Sequence, residues 1–292
     1  MRDLAVFTPL FDKLDKKFYL KRGIMETVEI SNVVDFLGKI QASNPRFDNV
    51  GSYYYRGQAN ANWSLQPSLF RIPLYKKGLS DYLTMESRLL NISISKGLPF
   101  VKLYSHNMES FIDWLTLMQH HGLPTRLLDW TTDALVGLFF AIENTDASCD
   151  AAVWCIKTKS NMNRRFFGLQ QIIHLVEPDT YDNTDKCLDG SIMSTRHSTP
   201  RIQAQNGVFS FVQMHKPTVT RFQGKIDLAY QEGYETCITS MTKYIVKGQN
   251  KVKIKRELSM MGVDSFRVYP DLDGLTQKLK WDLENLYINP SE

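Results

Sequence analysis

The chain has 292 residues, of which 43% are hydrophobic and 23% charged. This is globular composition, with apolar mass enough for one large domain or two ordinary ones. The formal net charge of +4 permits an anionic partner without demanding one, and falls short of a strongly basic nucleic-acid module.

Four cysteines, Cys149, Cys155, Cys187 and Cys237, form no CxxC pair and no zinc spacing, which fits reduced thiols. The start is too charged for a signal peptide, and no apolar run approaches membrane-spanning length. The expectation is a soluble, cytoplasmic protein with no membrane partner.

Residues 1–29 read as a lead-in, with Leu4, Phe7, Leu10, Phe11 and Leu14 near helical spacing. Ser31 is then expected to cap a helix carrying Val33, Val34, Phe36, Leu37 and Ile40, which ends at the turn before Pro45. Three tyrosines in Tyr53-Tyr54-Tyr55-Arg56-Gly57-Gln58 favour a strand, and Gly57 suggests a bend or a close backbone approach. Residues 59–80 read as a loop anchored by Trp63, Leu65 and Leu69. Helices are expected over 81–94 and 108–121, the second with Phe111, Leu115 and Met118 on one face.

The stretch from Gln119 to Thr131 packs two histidines, an arginine, an aspartate and a tryptophan into thirteen residues. Gly122 is the expected helix stop, and Pro124 prevents the helix from resuming. Residues 125–130 read as a short strand. Thr131 or Thr132 is expected to cap a helix over Ala134–Ile142 that is apolar on every side and therefore buried.

A buried strand is expected over 151–156, followed by a loop-rich excursion over 158–200. Order resumes over 201–212, with 207–212 as a strand and another strand at 237–246. A helix over 251–261 is expected to turn Val252, Leu258 and Met261 inward and to close at Gly262. A strand at 265–269, a turn at 270–274 and a helix over 275–286 complete the pattern. The fold expected is α+β, one domain over 30–285, with a tail at 286–292.

Several side chains carry possible chemistry. Arg56 at a strand end can hold a carboxylate or phosphate, or simply pair with a nearby acid. His120 and His121 end a helix, where each is either a titrating group or a cap, and two in succession point different ways. Arg126 and Asp129 lie three apart on a strand, hence on opposite faces, so at least one needs a distant partner. Asp129 is also placed to bond free amides at a helix start. Trp130 is a core anchor or a stacking platform. Between Lys243 and Arg256 there are six basic residues and no acidic one, which reads as a solvated edge or a nucleic-acid contact.

Tyr55-Arg56-Gly57-Gln58, Trp63, Leu65, Pro67-Ser68, Arg71 and the string from Gln119 to Thr131 resemble the FRG domain of bacteria and phages. That family is named for its (Phe/Tyr)-Arg-Gly motif. Arg201-Ile202 with Gln205, Gly207 and Phe209 resembles a third block of the family, and residues 269–275 resemble its closing block. The resemblance implies a role among toxins and phage-defence proteins, with an antitoxin or defence partner.

A second resemblance is to ADP-ribosyltransferases, which hold NAD with a split mixed β-sheet. Tyr55-Arg56-Gly57 resembles their first strand, Asp129 to Thr132 with the following helix their second, and 201–211 their third. The third segment carries Gln205 where that family has a catalytic Glu, and glutamine supplies no charge. The resemblance implies that Arg56 binds a phosphate or the nicotinamide ribose, Gly57 admits the carboxamide, and Thr131 supports the ribose. His121 and Asp129 would orient or protonate, and Gln205 or Glu86 would stand in for the glutamate. Tyr55, Gln58, His120, Arg126 and Trp130 would flank the cofactor.

The leading expectation is an NAD-consuming ADP-ribosyltransferase-like toxin or phage-defence effector. One alternative is a non-catalytic module that binds a nucleic acid or a phage protein through the basic run and the tyrosines. Another is a hydrolase or nuclease using His121 and Asp129.

Overall fold

The computed structural model describes residues 25–43, 53–73, 79–101, 111–158, 191–193, 200–211, 225–231 and 238–288. The expected lead-in before residue 25, the turn at Pro45, most of the 158–200 excursion and the end of the tail lie outside them. The described strands are β1 (Glu26–Ile30), β2 (Tyr53–Gln58), β3 (Leu127–Thr131), β4 (Ala151–Thr158), β5 (Ser191–Met193), β6 (Gly207–Phe211) and β7 (Ile238–Val246). They form one mixed sheet in the order β1-β7-β4-β2-β3-β6-β5. Only β1 and β7 run parallel; the other neighbours are antiparallel.

The described α-helices are α1 (Val33–Ser43), α2 (Leu79–Val101), α3 (Phe111–His120), α4 (Ala134–Ile142), α5 (Pro200–Ala204), α6 (Ile226–Gln231), α7 (Lys251–Met260), α8 (Ser265–Val268) and α9 (Leu272–Asp282). The chain is therefore a mixed α/β fold around one sheet.

Alternation along the strands divides the apolar residues between the two faces. Tyr54, Leu128, Trp130, Trp154, Ile156 and Val208 share one core with Leu65, Leu69 and α6. On the opposite face Tyr55, Val153, Cys155 and Tyr244 meet α1, α4 and α7. A third cluster, around Trp114, Leu115, Leu127 and Phe209, lies under α2 and α3. Because Leu127 and Thr131 share a face, and Thr131 pairs with Tyr55, the second and third clusters cover the same side of the sheet.

Gly57 makes the packing of α4 on β2 possible. A Cβ there would lie 2.3 Å from the Ala141 nitrogen and 2.4 Å from the Gly137 oxygen. The close approach expected at Gly57 is thus made by a helix of this chain. Gly122, with φ of +88°, ends α3 as expected. The amides of Gly122 and Leu123 bond the carbonyls of Gln119 and Met118, which is the Schellman arrangement.

Several local expectations are corrected. Asn32, not Ser31, caps α1 by accepting from the Asp35 amide at 2.7 Å, while the Asp35 carboxylate accepts from the Ser31 amide. Asp133, not Thr131, Thr132 or Asp129, caps α4 by accepting from the Leu135 and Val136 amides. Trp63 is half exposed rather than an anchor. Residues 265–268 are helical, since Asp264 accepts from the Arg267 amide and starts a turn. A five-residue apolar alternation fits either period, so the cap decides. Asp271 starts α9 three residues earlier than expected. On α7 the inward residues are Lys251, Ile254 and Leu258, not Val252 and Met261. β1 forms in what was read as lead-in.

Candidate functional site

β2 and β3 are joined through a single residue pair, Tyr55 with Thr131. β2 continues along β4 over six pairs, and β3 along β6 over five. The two halves of the sheet therefore meet at one point. Arg56 reaches across from β2, and its Nη1 donates to the Asp129 carbonyl at 2.6 Å.

A cavity of about 360 Å³ opens at this junction, over β3 and between α3 and α4. Its polar lining includes Arg56, Asp129, Thr131, Gln119, His120 and Gln205. Tyr55, Phe140 and Phe209 supply apolar wall. Thus residues far apart in sequence converge because β2, β3 and β6 are neighbours and α3 ends above them. The volume lies within the range of roughly 300–1,000 Å³ usual for small-ligand sites.

The electrostatics are concentrated in three groups. Arg56 is 18% exposed and Asp129 63% exposed, with 3.6 Å between Nη1 and Oδ2. That distance is a loose ion pair rather than a hydrogen bond. Burial pulls the Arg56 pKa down, and the nearby Asp129 charge opposes this. Among the described residues the buried Arg56 Nε–H has no hydrogen-bond partner. His120 lies at the cavity edge with its pKa lowered, chiefly by burial and then by His121 and Arg201. It is therefore held toward the neutral imidazole, which can accept a proton.

Asp129 is anchored from α3: Gln119 Nε2 donates to its Oδ1 at 2.6 Å, and the Gln119 carbonyl oxygen accepts from the Thr125 hydroxyl. Thr131 is committed to the backbone. Its hydroxyl donates to the Gln205 carbonyl at 2.6 Å and accepts from the Asp133 amide at 2.9 Å. The Gln205 side chain donates to the Val268 carbonyl at 3.2 Å. Gln205 does not lie on a strand; it follows α5 and precedes β6. On α5, Arg201 pairs with Asp271 at 2.6 Å and lies over the Tyr269 ring. The third and closing motif blocks noted in the sequence thus meet each other.

Other expected site residues face elsewhere. Glu86 and Arg126 are buried together, with Nε donating to Oε2 at 2.6 Å, and neither lines the cavity. Trp130 contributes its backbone to the cavity, but its indole belongs to the opposite core and donates to Ser210 Oγ at 2.8 Å. Gln58 is buried between Trp154 and Ser64. Both histidines are exposed, and His120, not His121, lines the cavity. Of the other lining residues, Gln119 and Phe209 enter the sequence reading only as members of the motif strings, and Phe140 only as part of the apolar helix. Gln119 stands first in the dense central string, and that position was the one available signal.

Each of the six cations between Lys243 and Arg256 has a partner within the chain. Lys243 donates to the Ala61 carbonyl, Lys247 pairs with Asp150, and Lys253 pairs with Glu257. Lys251 is buried against the Asp146 carbonyl, Lys255 bonds the Glu143 carbonyl, and Arg256 bonds Asn285. Among the described residues no group of three or more His, Cys, Asp or Glu is placed to hold a metal ion. Nor is any described helix long and apolar enough to cross a membrane.

Residues 51–150 match the family model of the FRG domain. The match holds β2, β3, α4 and the whole central string, and stops short of the blocks near Arg201 and Tyr269. No curated protein and no solved structure matches the chain.

Proposed function

We propose that this FRG-domain protein binds NAD at the junction of β2 and β3 and transfers or releases its ADP-ribose moiety. The observation that carries the reading is the convergence of Arg56, Asp129 and His120 on one cavity at the single point where the sheet's halves meet. A sheet whose halves meet at one residue pair suits the split-sheet arrangement that an ADP-ribosyltransferase needs. The apolar wall of Tyr55, Phe140 and Phe209 suits a flat pyridine ring. The unpartnered Nε–H of Arg56 suits a phosphate or ribose oxygen.

The carboxylate role falls to Asp129. Glu86 is held by Arg126, and the Gln205 amide by Val268. In the reaction the bond between nicotinamide nitrogen and ribose C1′ breaks, and the bonding pair leaves with nicotinamide. The positive charge left on the ribose is stabilised by the Asp129 carboxylate. A nucleophile on the target, or water, bonds C1′ and gives its proton to neutral His120. The sum is NAD⁺ plus acceptor–H giving ADP-ribosyl acceptor, nicotinamide and a proton. Loss of NAD, or modification of a cell component, is the harm by which such an enzyme serves as a toxin or phage-defence effector.

A hydrolytic reading is favoured by one observation, that His120 and Asp129 line the same cavity. Here water replaces the macromolecular acceptor. Calorimetric titration with NAD, ADP-ribose and nicotinamide tests the site. Saturable binding that is lost in Arg56→Ala is expected, and no binding of any of the three overturns the proposal.

A further inference from the structure

We infer that Gln119 is the positioning residue for the Asp129 carboxylate; its importance for turnover rests on the reading of the cavity given above.

The chain of bonds leaves the Gln119 amide one orientation. Thr125 is fully buried, and its hydroxyl oxygen accepts from the Leu127 amide at 3.2 Å. The Thr125 hydroxyl hydrogen goes to the Gln119 carbonyl oxygen. The NH₂ end must then face Asp129, where it donates at 2.6 Å. The reverse orientation would set a carbonyl oxygen against a carboxylate.

Thr125 is itself fixed from the β2 side of the molecule. Its amide donates to Ser68 Oγ at 3.1 Å, and its carbonyl accepts from the Leu69 amide at 3.1 Å. Leu69 is fully buried. The line of support therefore runs from the core through Ser68, Thr125 and Gln119 to one oxygen of Asp129. The other oxygen is left toward Arg56 and the cavity. An exposed aspartate would otherwise sample several rotamers, and a support of this kind selects one.

Residue chemistry explains why glutamine stands here. Glutamine both accepts and donates through one rigid amide. Glutamate has the same shape but offers no donor and brings a second negative charge to Asp129. Asparagine is one methylene shorter.

The test uses the full chain and two independent readouts. In the first, Gln119→Ala, Asp129→Ala and the double variant are unfolded in denaturant. The double variant is expected to lose less stability than the sum of the singles, since residues in one network are coupled. Strict additivity overturns the inference, whatever the protein does with NAD. In the second, nicotinamide release is followed in Gln119→Ala and Gln119→Glu. Both are expected to lower kcat by about 10–100-fold, with KM changed much less, as misplacement of a reacting group does. On an Asp129→Asn background Gln119→Ala is expected to cost nothing further. Full turnover in Gln119→Glu overturns the inference, because that variant keeps the shape and loses only the donor. If the wild type releases no nicotinamide, the NAD reading fails, and the stability cycle still decides the role of Gln119.

Discussion

A Cβ on Gly57 would lie 2.4 Å from the carbonyl oxygen of Gly137, so strand β2 rests on helix α4 backbone to backbone. The reciprocal contact is as tight, since a Cβ on Gly137 would lie 2.7 Å from that of Tyr55. The helix thereby fixes the height of Arg56 over the cavity. Gly57→Ala is expected to destabilise the protein by about 1–3 kcal/mol, the usual cost of forcing atoms into a packed interior. Denaturant unfolding measures it, and an unchanged midpoint would contradict the contact.

Glu86→Ala removes the buried carboxylate that the Arg126 guanidinium bonds. Breaking one side of such a pair costs about 3–5 kcal/mol. Asp129→Asn, at an exposed carboxylate, is expected to cost under about 1 kcal/mol. Comparing the two by thermal unfolding separates a structural acid from a functional one. Equal stability losses would contradict the assignment.

His120 is expected to titrate below the ordinary 6.5, because burial and the neighbouring His121 and Arg201 disfavour its charge. His121→Ala is expected to raise its midpoint by removing one of those neighbours. The sign for stability follows. A histidine whose folded pKa is lowered contributes fully above about pH 6.5, and the contribution falls as pH drops through that value toward the folded pKa. A proton NMR titration of wild type and His121→Ala reads both midpoints. A wild-type midpoint above 6.5 would contradict the account.

Burial pushes the Cys155 thiol up to about 12, whereas Cys149 is only half-buried beside the Ala59 carbonyl. The thiolate is the reactive form. A thiol reagent at pH 8 is expected to label Cys149 and spare Cys155 in the folded protein, which peptide mass mapping would reveal. Rapid labelling of Cys155 would show that the sheet core is not closed.

Dense local signals made much of the molecule legible in the sequence. The apolar run of α4, the tyrosines of β2 and the Gly122 stop fall where the pattern puts them. The ADP-ribosyltransferase resemblance implies one site for Arg56 and Asp129, and the two side chains lie together. Arg126 and Glu86 pair away from the cavity, and a buried pair between distant segments leaves no local trace in the sequence. β1 leaves little trace in the sequence, because a short strand of mixed charged and apolar residues depends on β7 far along the chain. The role of Gly57 turned on which neighbour approaches its backbone, and composition does not reveal that.

Release of nicotinamide from NAD by the purified protein, with and without extract of its host cell, tests the central claim most directly. The account predicts release by the wild type and a loss of at least about 100-fold in an Arg56→Ala variant that retains the wild-type circular dichroism spectrum. No release under either condition, or equal release by the folded variant, would contradict it.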